Sequence, residues 1–519
     1  METPSAGPRW LRPALAAVVF VASATAVFAL TGDIFHPSMD EGIYLEGAER
    51  LLAGEVPYRD FFAFTGPLVY QIQAALQGIF GKNLPMLRLS VAVSFGLVCL
   101  GVFGLASRLA EWRTGIVAAF TLFSFSIYSL YRFTIGHRWL SAGLFMTGAW
   151  LLVESASEES PPRWKPLLAG LLLAAAAGTT TSFVIPLVLL FVGILSMPGT
   201  RRRIAIPFTT GALAFSLPEV GWLISQGALG PMLDSLVWAS SRYAQANAVP
   251  YGYYPGGLPF LKPGLSTFQR LWSLAISLRL VLPAVGLPVM VAFTFWQAVR
   301  RPEPVRVLLG LVAAGLFITS WPRWDVNQLL YVAPLLFALG AVWAARLPRL
   351  AATTVALIFC GGGLVYIMLL IQQTDHFAIF PTRVGVLRHL PESADAYEKL
   401  AARVPAGASA FTFPYMPVLG YVLDTRNPTA YSYLQPGMMS AADEARALSQ
   451  LQAHPPKYIL WQLLPEDQVL TVWPNSDRSR LRFPSISAFI DANYREIDKV
   501  RALSFQITVL ELVTPIPHL

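Results

Sequence analysis

Apolar runs alternate with short polar segments along the first 371 residues of this 519-residue chain. Runs of this kind are typical of helices that cross a bilayer, because a span needs roughly 20 apolar residues. Several runs are shorter, which fits tilted members of a helix bundle. The pattern predicts a polytopic α-helical membrane protein with about eleven spans. They lie near residues 14–30, 86–107, 114–131, 139–153, 166–179, 182–198, 204–224, 280–298, 305–320, 329–345 and 350–371.

Composition agrees with a membrane protein. Hydrophobic residues make up 55% and charged residues 13% of the chain, whereas soluble domains carry roughly 25% charged residues. The net charge of +8 does not indicate a nucleic-acid partner, because the basic residues lie between apolar runs rather than along one face. Cys99 and Cys360 both lie inside apolar runs, which excludes a disulfide framework and a thiolate metal site.

The positions of arginine and lysine predict how the chain sits in the plasma membrane. Cytoplasmic loops are enriched in these residues, so the amino terminus is expected inside and, with an odd number of spans, the chain after residue 371 outside. We interpret the first apolar run as a retained anchor. A cleaved signal peptide is the alternative, since the run contains Ala22-Ser23-Ala24. The predicted inner segments contain Arg9, Arg12, Arg108, Arg113, Arg163, Lys165, Arg201, Arg202, Arg203, Arg300, Arg301, Arg306, Arg346 and Arg349.

The first long outer segment, residues 31–85, is expected to hold two helices that lie in the membrane interface. A capping box, Ser38 with Glu41, starts the first helix at 42–53, and Gly54 follows it. The second helix begins near Gly66-Pro67. Its predicted apolar side consists of Leu68, Ile72, Ala75, Leu76 and Ile79.

A second outer segment, residues 225–279, is rich in aromatic residues and glycine. Such a segment suits a pocket for a sugar or a lipid head group, or an aromatic belt at the membrane interface. Its aromatic residues include Trp238, Tyr243, Tyr251, Tyr253, Tyr254 and Phe260.

Residues 376–519 are less hydrophobic and are predicted to form a small α/β domain outside the membrane, packed on its outer face. The chain thus divides into a transmembrane domain, 1–375, and an extracytoplasmic domain, 376–519. Hydrophobic patterning in the second part predicts strands at 408–413, 458–461 and 503–512 and helices at 440–453 and 485–493.

Three polar clusters share the predicted outer face. An acidic pair where a span meets water is a candidate reaction centre, because carboxylates near hydrocarbon are costly. Asp40 could instead cap the helix that follows it, and the basic residues could be interfacial anchors. The clusters are Asp40-Glu41 with Arg59-Asp60, His137-Arg138, and Trp321-Pro322-Arg323-Trp324-Asp325.

The first cluster lies in a sequence pattern that resembles the C-type membrane glycosyltransferases. Within them it is closest to the bacterial protein mannosyltransferase and lipid A aminoarabinose transferase group. The layout matches over residues 1–371, while the specific motif is confined to 36–88. One departure is Phe64-Thr65-Gly66, where relatives often place a charged residue before the Pro-Leu pair. The motif consists of Asp40-Glu41-Gly42-x-Tyr44, Pro57-Tyr58-Arg59-Asp60-Phe61 and Gly66-Pro67-Leu68-x-Tyr70.

The resemblance implies transfer of a sugar from a polyprenyl-phosphate donor to an envelope lipid, glycan or protein. It implies that Asp40 is the catalytic carboxylate and that Glu41 is its catalytic neighbour. Such chemistry needs a carboxylate to accept the hydroxyl proton and cations to hold the leaving phosphate. The candidate substrate-binding residues are Tyr58, Arg59, Asp60, His137, Arg138 and Arg323.

No cofactor is expected, since a donor that already carries its sugar requires no nucleotide site. His36 lies near Asp40, but two ligands do not define a metal site, so a divalent metal is only an alternative. Two other functions stay open. One is a transporter or lipid flippase, although those proteins usually place polar residues near the bilayer midplane. The other is an envelope assembly scaffold.

Overall fold

A computed structural model describes residues 10–36, 39–129, 132–197, 201–502 and 505–513 of the chain. Helices dominate up to Thr374, and two short strands, β1 (Val249–Tyr253) and β2 (Arg323–Asp325), pair in parallel between them. The helices are α1 (Leu11–Thr31), α2 (Met39–Leu52), α3 (Leu68–Phe80), α4 (Leu84–Leu87), α5 (Leu89–Leu109), α6 (Trp112–Ile127), α7 (His137–Ala156), α8 (Trp164–Thr179), α9 (Val184–Ser196), α10 (Ile206–Ser225), α11 (Leu229–Trp238), α12 (Ala244–Asn247), α13 (Thr267–Arg300), α14 (Pro304–Thr319), α15 (Val326–Val332), α16 (Pro334–Ala344) and α17 (Arg349–Thr374).

Each predicted apolar run coincides with a helix as far as the chain is described, but the count of eleven spans is not confirmed. Five helical stretches are long and apolar enough to cross a membrane, or six if α15 and α16, which meet at a 68° bend, form one span. The apolar helices α6, α8, α9 and α14 are shorter. The chain is thus a multi-pass membrane protein. The five stretches are Leu11–Thr31, Leu84–Leu109, Arg203–Ser225, Thr267–Arg300 and Arg349–Thr374.

Helices α5, α7, α8 and α10 pack side by side, and α1 packs against α5. Phe95, Phe103 and Phe145 are buried in this bundle. The peripheral helix α17 instead exposes large apolar side chains, including Leu350 and Leu357. Lipid tails are as apolar as leucine, so a bilayer can cover these side chains.

The first outer segment contains the two predicted helices, α2 and α3. Helix α2 begins at Met39, three residues earlier than predicted, and the predicted cap Ser38 lies outside the described residues. Helix α3 follows Pro67 directly. It buries Val69, Tyr70 and Ala74 against the protein, while Ile79 on its predicted apolar side is 72% exposed. Leu68 and Leu76 on the same side pack partly against the protein core, so the exposed end of this side, at Ile79, is what could contact a membrane surface.

After Asp375 the chain forms a hairpin and a four-stranded sheet with helices around it. The sheet consists, in spatial order, of β5 (Ala410–Phe413), β6 (Tyr458–Leu463), β8 (Phe505–Leu512) and β7 (Tyr494–Ala502). Strands β5 and β6 are parallel and the other pairs are antiparallel. The strands and helices that the sequence predicted here are confirmed, whereas the hairpin, the strand at Tyr494–Ala502 and three further helices were not predicted. The elements are β3 (Ala378–Thr382), β4 (Gly385–His389), α18 (Pro391–Arg403), β5 (Ala410–Phe413), α19 (Pro417–Val422), α20 (Ala441–Ala453), β6 (Tyr458–Leu463), α21 (Glu466–Val472), α22 (Pro484–Asn493), β7 (Tyr494–Ala502) and β8 (Phe505–Leu512).

The carboxyl-terminal elements pack directly on the first outer segment. Helix α19 lies so close to α2 that a Cβ atom at Gly42 would be 2.0 Å from the backbone nitrogen of Val418. Arg388 Nε donates to Asp33 Oδ1 at 2.7 Å. Hydrophobic side chains of both parts belong to one continuous core. This packing fixes the position of the loop between β5 and α19 relative to α2.

Candidate active site

A cavity of about 100 Å³ opens between the helical part and the carboxyl-terminal elements. The structure brings four of the predicted site residues to this cavity from elements that are distant in sequence. Asp40 comes from the first turn of α2, His137 and Arg138 from the start of α7, and Arg323 from β2. The cavity therefore combines one carboxylate with two guanidinium groups.

Asp40 is held by a residue of the carboxyl-terminal part. The hydroxyl of Tyr415, in the loop between β5 and α19, donates to Asp40 Oδ1 at 3.2 Å. Asp40 keeps solvent access from the cavity, but protein surrounds its other sides. Partial removal from water raises the pKa of this carboxyl, while the Tyr415 hydrogen bond and the charges of Arg138 and Arg323 act in the opposite direction. A carboxylate with a raised pKa suits proton transfer.

The two cavity arginines differ in their partners. Arg323 forms an ion pair with Asp325, and its Nη1 donates to Asn247 Oδ1 at 2.9 Å. Arg138 has no carboxylate within ion-pair distance among the described residues, and its guanidinium lies over the ring of Tyr331, 5.7 Å from the centroid. Arg138 is therefore better placed to bind an incoming anion.

His137 is fixed beside Arg138. Its Nδ1 lies 2.7 Å from Thr180 Oγ1, and its ring centroid is 6.2 Å from that of Tyr44. Tyr44 belongs to the same sequence motif as Asp40 and also lines the cavity. These contacts join the start of α7 to α2.

Glu41 does not line the cavity. It is completely buried and pairs with Arg88, with Nη2 2.7 Å from Oε1 and Nε 2.9 Å from Oε2. Glu41 Oε2 also accepts the backbone N–H of Ile135 at 3.0 Å. Arg88 donates in turn to the carbonyls of Thr31 and Gly32. This network fastens α2 to the end of α1 and the start of α5, which is a structural position.

Tyr58, Arg59 and Asp60 also lie away from the cavity. Arg59 forms a two-point ion pair with its neighbour Asp60, at 2.8 and 2.9 Å, and donates to the carbonyl of Gln226. The ion pair lowers the pKa of Asp60. The Tyr58 hydroxyl is buried and donates to the carbonyl of Thr65. The structure thus places these residues in a tight turn of the first outer segment.

The cavity is also lined by residues that the sequence did not single out as site residues, from both the helical part and the carboxyl-terminal part. Trp238 and Tyr243 belong to the aromatic segment considered as either pocket or belt, and both line the cavity. Asn247 and Gln328 add amide groups. The carboxyl-terminal contributions are Tyr415, Tyr433, Gln435, Met438 and Trp473.

The departure at Phe64-Thr65-Gly66 has a steric explanation. A Cβ atom at Gly66 would be 2.1 Å from the carbonyl oxygen of Gly178, and the Gly66 N–H donates to the carbonyl of Thr179 at 3.0 Å. No side chain fits at this position, so a charged residue cannot stand here. The hydrogen-bond partner of Asp40 is Tyr415.

Across the described part of the chain, no three His, Cys, Asp or Glu side chains are close enough together to hold an ion. His36 does not line the cavity, and its ring centroid lies 6.5 Å from that of His389.

No protein-family model matches the chain, and no curated protein matches it in sequence. Among solved structures it is similar to ArnT from Cupriavidus metallidurans bound to undecaprenyl phosphate, with 15% identity and a TM-score of 0.59 over 95% of this chain and 97% of that chain. It is also similar to the Archaeoglobus fulgidus oligosaccharyltransferase in complex with Zn and sulfate, with 12% identity and a TM-score of 0.51 over 86% and 68% of the two chains. The chain therefore shares its fold with ArnT and with the archaeal oligosaccharyltransferase. This agrees with the resemblance carried by residues 36–88.

Proposed function

We propose that this protein is a membrane glycosyltransferase that moves a sugar from a polyprenyl-phosphate donor to an envelope lipid, glycan or protein acceptor. The observation that carries the proposal is the cavity in which Asp40 faces Arg138 and Arg323. The fold supports it, and the similar ArnT structure contains undecaprenyl phosphate. The reaction is placed on the outer face of the plasma membrane by the predicted orientation of the chain.

In the proposed reaction an acceptor hydroxyl attacks the anomeric carbon of the sugar. Asp40 accepts the hydroxyl proton as the new carbon–oxygen bond forms. The bond between the anomeric carbon and the phosphate oxygen breaks, and the electron pair leaves with the polyprenyl phosphate. Arg138 stabilises this anion, because its guanidinium can grip two phosphate oxygens at once, and Arg323 adds a second positive charge to the cavity.

We propose that transfer needs no cofactor, since the two arginines can neutralise the leaving phosphate. A divalent cation is the alternative. Treating the purified protein with EDTA distinguishes these two alternatives. Transfer that depends on a bound cation would be lost, whereas transfer stabilised by arginine would continue.

Mass spectrometry of envelope glycans tests the proposal in cells. A strain that lacks the protein should lose one glycan modification, and the wild-type protein should restore it. Asp40→Asn should not restore it, and Arg138→Lys should restore it only partly because lysine cannot form the two-point contact. Full restoration by Asp40→Asn would contradict an enzymatic role and favour a transporter, a flippase or a scaffold.

A further inference from the structure

Three residues that line the cavity carry buried polar atoms that have no hydrogen-bond partner among the described residues. They are Gln435 Nε2, Trp238 Nε1 and Gln328 Oε1. Gln435 is only 3% exposed. Proteins pair nearly all of their buried polar atoms, so three unpaired atoms on residues of one cavity point to a ligand that supplies the missing partners.

The chemistry of these atoms matches sugar hydroxyl groups. The side chains of Gln435 and Trp238 offer N–H donors, and that of Gln328 offers an amide oxygen that accepts. A hydroxyl group can do both. Tyr433 and Trp473 add aromatic rings to the same cavity, and an aromatic ring can stack on the apolar face of a sugar.

The charge of the cavity favours a neutral sugar. Among the described lining residues, Asp40 is the one carboxylate, and it already accepts a hydrogen bond from Tyr415. Arg138 and Arg323 add two positive charges. The donor phosphate offsets these two charges, and an ammonium group on the sugar would find no carboxylate other than Asp40, which the reaction itself needs.

We infer that Gln435, Trp238 and Gln328 form a subsite for a neutral, hydroxyl-bearing sugar carried by the lipid-linked donor. The inference rests on the proposed function and deepens it, because it names the class of sugar. It also makes the carboxyl-terminal part, through Gln435, a determinant of donor specificity.

Binding of lipid-linked sugars to the full-length protein in nanodiscs tests this subsite. The probes are undecaprenyl phosphate alone and undecaprenyl phosphate that carries glucose, mannose, galactose or 4-amino-4-deoxyarabinose. Gln435→Leu removes the amide, and Trp238→Phe keeps a ring but removes the N–H donor. Gln462→Leu is the matched control, because Gln462 in β6 is also buried and unpaired but does not line the cavity.

We expect at least one neutral sugar to tighten wild-type binding about tenfold over undecaprenyl phosphate alone, and the amino sugar to give no gain. Gln435→Leu and Trp238→Phe should each remove this gain while the Kd of undecaprenyl phosphate stays unchanged. Gln462→Leu should keep the gain. A melting curve for each variant confirms that the compared proteins are folded.

Three results would overturn the subsite: no gain from any neutral sugar, an equal gain from the amino sugar, or the same loss in Gln435→Leu and Gln462→Leu. If undecaprenyl phosphate binds and transfer depends on Asp40, these results refute the subsite alone. If wild-type protein neither binds undecaprenyl phosphate nor transfers a sugar from it, the proposed function fails together with the subsite.

Discussion

At the residue scale, the contact between Tyr415 and Asp40 connects the carboxyl-terminal part to the proposed chemistry. The two residues are 375 positions apart in sequence, and one hydrogen bond joins them. A charged carboxylate gains from such a donor, which opposes the effect of burial on its pKa. Tyr415 is therefore a positioning residue whose loss has a measurable pH signature.

The predicted signature is a shift of the acid limb of the pH–rate profile in Tyr415→Phe. Asp40 must be deprotonated to accept a proton, so transfer falls as the pH drops through its pKa. Removing the hydrogen bond raises that pKa further, so the acid limb should move to higher pH. Tyr433→Phe is the control, since Tyr433 lines the cavity but makes no hydrogen bond to Asp40 in the described structure. Superimposable profiles for Tyr415→Phe and wild type would show that Tyr415 does not tune Asp40.

Glu41→Gln should act on stability, because Glu41 balances the buried charge of Arg88. Breaking a buried ion pair on one side costs about 3–5 kcal/mol, so we expect a lower melting temperature and a lower yield in detergent. Glu55→Gln is the comparison, because Glu55 is 41% exposed in its pair with Arg50, and exposed pairs contribute roughly 0–1 kcal/mol. A Glu41→Gln protein with wild-type stability and no activity would place Glu41 in the chemistry instead.

The sequence located Asp40, Arg138 and Arg323 because each stands out as a charge beside an apolar run. It could not identify the partners of these charges. Glu41 is a carboxylate next to Asp40, so the sequence cannot distinguish their roles. The burial of Glu41 depends on its pairing with Arg88, 47 residues away. No sequence pattern near Tyr415 identifies it as a site residue, because its contact with Asp40 depends on how the carboxyl-terminal part packs on α2.

At the element scale, long apolar helices were predictable because hydropathy is a local property. Strand β7 was not, because it lies at the edge of the sheet and contains adjacent charged residues, Arg495-Glu496 and Asp498-Lys499, that interrupt the alternation of apolar and polar positions. Edge strands often carry charges that prevent further pairing, which hides the usual strand pattern. The packing of α19 on α2 could likewise not be predicted from local sequence patterns.

Gly42→Ala tests whether this packing builds the cavity. A Cβ atom there would lie 2.0 Å from Val418 N and 2.3 Å from the carbonyl carbon of Pro417, so α2 and α19 must move apart. We expect a loss of about 1–3 kcal/mol in stability from such overpacking, together with reduced transfer. Gly78→Ala in α3 is the control, since the nearest atom there is a Leu52 side-chain carbon at 4.0 Å. Wild-type melting and transfer in Gly42→Ala would show that the two helices are not rigidly docked.

At the scale of the whole molecule, the proposal requires the cavity and the carboxyl-terminal part to lie on the outer face. The predicted orientation rests on basic residues such as Arg300 and Arg301 being inside. Alkaline phosphatase fused after residue 519 should therefore be active, and the same reporter fused after residue 303 should be inactive. The reverse pattern would place the cavity in the cytoplasm, where the proposed reaction would not occur.

The most direct test of the central claim compares wild-type protein with Asp40→Asn in liposomes that contain lipid-linked sugar and acceptor. Asparagine keeps the shape of the side chain but cannot accept the proton. The variant should fold and bind undecaprenyl phosphate like the wild type, while transfer falls at least about 100-fold. Near-normal transfer by folded Asp40→Asn would show that the chemistry does not need the Asp40 carboxylate and would contradict the assignment of this cavity as the active site.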